Sequence, residues 1–174
     1  EGKNNQIGIV THKLNPKNIK IAQREALMWG TIQQDAINFG NILHEIMAFI
    51  HTKEDVDLAI QKATELGLIT FSQHQIFKET IAKIVNHEEL ISFFDADAKV
   101  FNEQNIIKKA FKNIKPDRVV VKDNMAYLLD YKTGEKHNKH KAQLEEYELA
   151  LQEMKYTVAK KALIYIGESI EIVT

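Results

Sequence analysis

The chain has 174 residues, 44% hydrophobic and 27% charged, with a net charge of −1. That is enough for about one domain with its own core, and the composition is neither disordered nor membrane-like. It contains no cysteine, which excludes disulfides, thiol catalysis, cysteine-ligated zinc and iron–sulfur clusters and is compatible with a reducing, cytoplasmic setting. No apolar stretch approaches the roughly 18 residues of a membrane span and no signal peptide is visible; opening on Glu1, the chain reads as a piece of a longer one.

The first half reads as helical. "DAINFGNILHEIMAFIH" (35–51) places Phe39, Ile42, Leu43, Ile46, Phe49 and Ile50 on one broad apolar face, the period of an amphipathic helix. That face centres near Ile46 and Ile50. His44 lies away from it, with Gly40 one turn earlier to admit a close neighbour; alone, such a histidine identifies nothing. "KEDVDLAIQKATELG" (53–67) is a second helix, ending at Gly67 as a C-cap. "SQHQIFKETIAKIVNH" (72–87) starts at Ser72 as N-cap and keeps helical period through Ile76, Thr80, Ile81 and Ile84.

From about residue 98 the pattern changes. "KVFNEQNII", "DRVVV" and "MAYLLDY" are short, branched or aromatic and separated by turn residues, the signature of strands. "KHKAQLEEYELALQEMK" returns to helix, with Gln143 and Tyr147 sharing one face and Leu144 and Leu151 another, and "KKALIYIGESIEIV" closes with a strand or hairpin. The order predicts a layered α/β (α+β) domain, a mixed sheet flanked by helices behind a helical N-terminal half. One domain over 1–174 is expected, with no repeat or linker and with Pro16 and Pro116 outside the helices.

Between "DRVVV" and "MAYLLDY" lies "KDNM". A two-residue turn at Asp123-Asn124 suits residues that tolerate left-handed backbone. It pairs Lys122 with Met125, and the same register sets Asp117 opposite Asp130, with Cβ atoms about 4.5–5.5 Å apart. Like charges so placed are destabilising unless compensated, and hard Mg²⁺ or Mn²⁺ is the natural compensation. Lys132 follows two residues after Asp130 on the same face, where an ammonium can orient water. A solvated hairpin in which Lys132 bridges the acids fits the same spacing, and a three-residue turn would break the pairing. Lys108, Lys109, Lys112 and Lys115 on one side, and Lys136, Lys139 and Lys141 on the other, flank this stretch. They read either as solvated loops or as phosphate-holding runs.

Taken together, "FGNILHEI", "PDRVVV", "LLDYKTG" and "QLEEY" resemble, in order along residues 40 to 147, the RecB-type exonuclease family of the PD-(D/E)XK nuclease superfamily. The resemblance implies a restriction-endonuclease-like core and Mg²⁺-dependent hydrolysis of DNA phosphodiesters. It also implies a setting in helicase–nuclease machines for DNA-end processing, recombination and repair, such as RecBCD and AddAB, with a helicase domain in the full-length chain. It makes His44, Asp117 and Asp130 metal ligands with the backbone carbonyl of Tyr131, and Lys132 the catalytic lysine. Gln143 and Tyr147 become site-supporting or DNA-binding residues, and Glu103 the acidic residue on the preceding strand. Mn²⁺ is expected to substitute for Mg²⁺. The chain departs from the family in carrying Pro116 where a glycine is common before the first aspartate, and in lacking the four cysteines of some relatives. No GxxxxGK[ST] phosphate loop occurs, so ATPase activity by that route is not expected. The rival readings are a nuclease-fold DNA-binding scaffold without activity and an unrelated α+β metal-binding or regulatory domain.

Overall fold

In the computed structural model, Asp123 and Asn124 both adopt positive φ, 48° and 63°, the left-handed pair a two-residue hairpin turn requires. They join β4 (Arg118–Lys122) to β5 (Met125–Thr133), and the register runs from Lys122↔Met125 to Arg118↔Leu129, as the turn residues predict. The structure describes residues 32–107, 113–133, 135–166 and 170–174; Pro16, Lys108, Lys109, Lys112 and Gly134 lie outside these residues. The chain falls into two compact units, Glu1–Asp35 and Ala36–Thr174, and among the described residues the strands lie in the second.

The sheet has five strands in the order β1-β4-β5-β6-β7, with β1 at Lys99–Asn102, β6 at Thr157–Ile166 and β7 at Ile170–Val173. β5 and β6 are parallel and the other pairs antiparallel, so the sheet is mixed. A parallel pair needs a crossover, and α4 (Asn138–Glu153) lies in it. Two short strands, β2 (Ile106–Ile107) and β3 (Asn113–Ile114), pair separately.

Alternation along the strands divides the core between two faces. Leu129, Tyr131, Ala162, Ile164 and Ile166 pack with α1 (Ile32–Met47), α2 (Val56–Glu65) and α3 (His74–Val85). Val119, Ala126, Leu128, Leu163 and Tyr165 pack with Leu144, Tyr147 and Leu151 of α4. Asp130 and Lys132, in step with Ala126 and Leu128, therefore face α4, while Thr133 faces α1. An isolated helix the length of α1 is marginal in water. What holds it is burial of Leu43, Ile46 and Met47, each worth about 1.5–3 kcal/mol.

Three local expectations shift. The first helix ends at Met47 rather than residue 51, because carbonyls beyond it are taken by side chains of β1 and β4. The second opens with a 3₁₀ turn at Lys53–Asp55, where the Asp55 carboxylate accepts from the N–H groups of His51 and Thr52. It closes as predicted at Gly67, whose φ of 72° lets its N–H reach Thr64 O while Leu68 N–H reaches Ala63 O, a Schellman motif. The third is not capped by Ser72: Thr70 opens a 3₁₀ turn at Phe71–Gln73 and donates its N–H to Gln73 Oε1. Its helix begins at His74 and buries Phe77, Ile81 and Ile84, leaving Ile76 exposed.

Gly40 is where α1 meets the end of β5. A Cβ there would overlap the Thr133 methyl and stand 3.5 Å from Ile166 Cγ2. Gly40→Ala is expected to destabilise, since overpacking costs about 1–3 kcal/mol against about 1 kcal/mol gained in helix propensity. Thr133→Ser removes the obstructing methyl, so thermal melts of the double variant should recover most of the lost Tm. A Gly40→Ala single variant as stable as the parent would remove the close contact.

Candidate metal centre

Four elements deliver polar side chains to the sheet end where β5 finishes and β4 begins. Asp117 directly precedes β4, one step beyond the Arg118↔Leu129 pair and thus opposite Asp130. The Tyr131 N–H donates to Asp117 Oδ2 at 2.7 Å. Because a strand residue's N–H and C=O leave the same edge, the Tyr131 carbonyl is directed toward that side too. Glu103 follows β1 with a φ of 54°, uncommon for a non-glycine residue, and its N–H donates to the Asp117 carbonyl at 2.9 Å. His44 comes from the opposite face of the sheet, on α1, its ring edge-on to Tyr131 with centroids 5.7 Å apart.

These groups converge. His44 Nε2 lies 2.9 Å from Glu103 Oε1 and 3.2 Å from Asp117 Oδ1, and one potential ligand atom of each of the three residues lies within 4.8 Å of the others. Asp130, opposite Asp117, is ion-paired with Lys132. Glu103 Oε1 and both Asp130 carboxylate oxygens are buried without a hydrogen-bond partner. Glu103 Oε1 instead forms an ion pair with His44, and Asp130 one with Lys132. A cleft of about 230 Å³ opens beside them, lined by Asn41, His44, Asp117, Tyr131, Lys132 and Thr133.

The electrostatics separate the two aspartates. Burial raises the Asp130 carboxyl, and the neighbouring Asp117 charge raises it further, to about 7, against the opposing pull of Lys132. Burial acts upward on Asp117 as well, but the His44 hydrogen bond and charge, the Tyr131 N–H and Lys132 outweigh it and hold Asp117 below the usual carboxylate range. Facing acids resolve their repulsion this way, one ionised and one holding its proton. The Asp117 hydrogen bond in turn raises His44 above its ordinary value, against desolvation and with help from the Glu103 charge.

The structure groups the residues expected from sequence unevenly. Glu103, expected only from resemblance, joins His44 and Asp117 in the closest cluster, whereas Asp130 stands beside that cluster and not within it. Gln143 and Tyr147 do not form a separate polar face. Tyr147 is buried with Leu144 and Leu151 because positions three, four and seven apart share one helix face. Its hydroxyl accepts from Gln143 Nε2 and donates to the Lys115 carbonyl at 3.2 Å, bracing the segment before Asp117, and burial pushes its pKa up to about 12. Lys115 and Lys136 are not free solvated charges: they pair with Glu103 and Glu171. Lys139 and Lys141 are exposed on the first turn of α4. Sequence reasoning missed Arg118 and Asn102, whose side chains hold the carbonyls at the end of α1. A charged residue inside the apolar run "DRVVV" was a visible signal for Arg118; Asn102 left none.

Lys115 holds one Glu103 oxygen and so competes with any cation there. Lys115→Met should tighten Mn²⁺ binding by up to roughly fivefold, the worth of an exposed ion pair, in a calorimetric titration; weaker binding would contradict the competition. A wider groove of about 540 Å³ between α2 and α3 holds no such cluster: Lys78 pairs with Asp57, and Thr64 Oγ1 with His74 Nε2, each at 2.5 Å.

No family model matches the chain, and no curated protein matches it. Among the described residues no helix is long and apolar enough to cross a membrane.

Proposed function

We propose that this chain is a Mg²⁺-dependent deoxyribonuclease of the RecB-type, PD-(D/E)XK kind, an exonuclease that works on DNA ends in recombination and repair beside a helicase domain. The observation that carries this reading is the meeting of His44, Glu103 and Asp117 with the Asp130–Lys132 pair at one sheet end. The motifs that resemble that family supply His44, Asp117, Asp130 and Lys132, and Glu103 comes from the end of β1, between the first two of them.

The donor set suits a divalent cation. Two carboxylates, Glu103 and Asp130, have buried oxygens whose partners are the His44 and Lys132 charges, and a carboxylate–imidazole mixture suits Mg²⁺ less than Mn²⁺. His44, Glu103 and Asp117 would hold the ion, with Asp130 and the Tyr131 carbonyl beside it. A bound Mg²⁺ or Mn²⁺ supplies Lewis-acid polarisation of the phosphate and a water of lowered pKa. Lys132, with its side chain 16% exposed, reaches the cleft far enough to orient the attacking water and to offset charge developing on the phosphate. Lys139 and Lys141, exposed on the first turn of α4, would attract a DNA backbone and give salt-dependent, sequence-tolerant binding.

The test is cleavage of single- and double-stranded DNA ends with Mg²⁺ or Mn²⁺, run alongside calorimetric titration of both ions. Metal-dependent cleavage that chelation abolishes is expected. DNA binding without cleavage would favour the scaffold reading, and absence of both cation and DNA binding would leave an unrelated domain. The helicase partner is tested separately, by the presence of a phosphate-loop motif elsewhere in the full-length chain.

A further inference from the structure

We propose that Arg118 and Asn102 are positioning residues: they clamp the end of α1 to β1 and β4, and so set His44 against Glu103 and Asp117. The inference rests on the metal-centre reading.

Arg118 is 1% exposed, and no carboxylate is among its hydrogen-bond partners. Its Nε donates to Phe93 O at 2.9 Å, Nη1 to Ile50 O at 2.6 Å and to Asn102 Oδ1 at 3.0 Å, and Nη2 to His51 O at 2.5 Å. Its guanidinium lies 4.3 Å from the centre of the Phe94 ring. Asn102 Nδ2 donates to Ala48 O at 3.0 Å and to Ile50 O at 2.9 Å. Apart from Phe93, these carbonyls belong to the segment just past the end of α1 at Met47, and the C-terminal end of a helix attracts positive charge. A planar five-donor fork satisfies several of them from one side chain, which an ammonium does not.

The placement ties this clamp to the site. Arg118 follows Asp117, and Asn102 precedes Glu103. The clamped carbonyl of Ala48 lies four residues past His44, one helical turn. Each member of the candidate triad is thus adjacent in sequence to the clamp or one turn from it, although the three come from different elements. Packing of Leu43, Ile46 and Met47 holds α1 on the sheet but is non-directional; the clamp fixes how far α1 slides along it. A shift of about 1 Å is enough to disable a site of this kind.

Asn102→Leu is the direct test, because it removes both donors to α1 while leaving Arg118 its backbone acceptors. The variant should fold cooperatively, yet bind Mn²⁺ about tenfold more weakly by calorimetry, the scale on which supporting partners of metal ligands act. The loss should run through His44, so Asn102→Leu/His44→Ala should bind within about twofold of His44→Ala alone, as coupled neighbours do. Val121→Ala, at the far end of β4, controls for general destabilisation and should leave Mn²⁺ affinity unchanged. Should Asn102→Leu not fold, Asn102→Ser, too short to span both carbonyls, carries the same expectation. In metal-free protein the His44 ring resonances should move toward those of free histidine in either Asn102 variant. Unchanged affinity and ring resonances, or losses that multiply in the double variant, would overturn the clamp. A parent chain that binds no Mn²⁺, or binds it equally without His44, would instead overturn the metal reading, and the ring resonances would then judge the clamp alone.

Discussion

Asp130→Ala and Lys132→Ala are each expected to abolish Mg²⁺-dependent DNA cleavage, lowering kcat by about 10³-fold or more, while the chain stays folded. Loss of one group acting on transition-state charge is worth about 10²–10³-fold, and residues that act as a unit fail together. The fold should survive because Asp130 bonds to no structural donor: it is 1% exposed, its carboxylate oxygens lack hydrogen-bond partners, and its ion pair is with Lys132. It is a liability in the metal-free protein. Burial and Asp117 raise its pKa to about 7 from an ordinary 3.8. Between about pH 4 and 7, therefore, the folded state keeps a proton that the unfolded state has lost. Stability falls as pH rises through that window, and the full cost is present above it. Asp130→Asn removes the charge and should raise Tm at pH 8 while leaving it unchanged at pH 3, the trade of stability for function expected at a site. The two substitutions also differ in cation binding: Asp130→Ala should weaken it, whereas Lys132→Ala should leave it nearly unchanged. Full cleavage by either alanine variant would end the assignment of these residues.

The hairpin was legible because its determinants are local. Asp123 and Asn124 fix the turn, the turn fixes the register, and the register places Asp117 against Asp130 without reference to anything distant. The helical stripe of α1 was legible for the same reason, and it left His44 pointing off the core. Other features depended on chain segments far apart in sequence. Which acid completes the cluster with His44 is decided by the backbone at Glu103, whose positive φ turns the side chain back toward α1 and is encoded by no glycine or asparagine there. The end of α1 is decided by Arg118 and Asn102, more than 50 residues away. Tyr147 does pair with Gln143 through its hydroxyl, as their spacing suggests; its burial among Leu144 and Leu151, between α4 and the sheet, depends on the sheet they pack against.

His44→Ala should cost far more activity at limiting metal than at saturating metal, and Glu103→Gln should behave alike. At limiting Mn²⁺ the loss should be at least the roughly 10–100-fold that removal of even outer-shell partners produces, shrinking as Mn²⁺ rises, because a ligand lost from the ground state is recovered by mass action. Imidazole suits Mn²⁺ better than Mg²⁺, so Mn²⁺ should bind the parent chain at least as tightly, and His44→Ala should narrow the gap between the two ions. The pH dependence has a definite sign. Metal-free His44 holds a proton more strongly than usual because Asp117 accepts its hydrogen bond, and Asp130 holds one to about pH 7. A cation must displace these protons, so affinity should climb with pH from about 5 to 8 and then flatten, with protons released on binding. His44→Ala should flatten part of that climb. Calorimetric titrations in buffers of different ionisation enthalpy measure both the affinity and the protons released. Glu103→Gln separates two placements of the ion. If it weakens Mn²⁺ as much as His44→Ala does, the ion sits among His44, Glu103 and Asp117, where their atoms converge. If it changes nothing while Asp130→Ala abolishes binding, the ion sits between the facing aspartates of the hairpin, and Glu103 serves only to hold Lys115 and His44 in place.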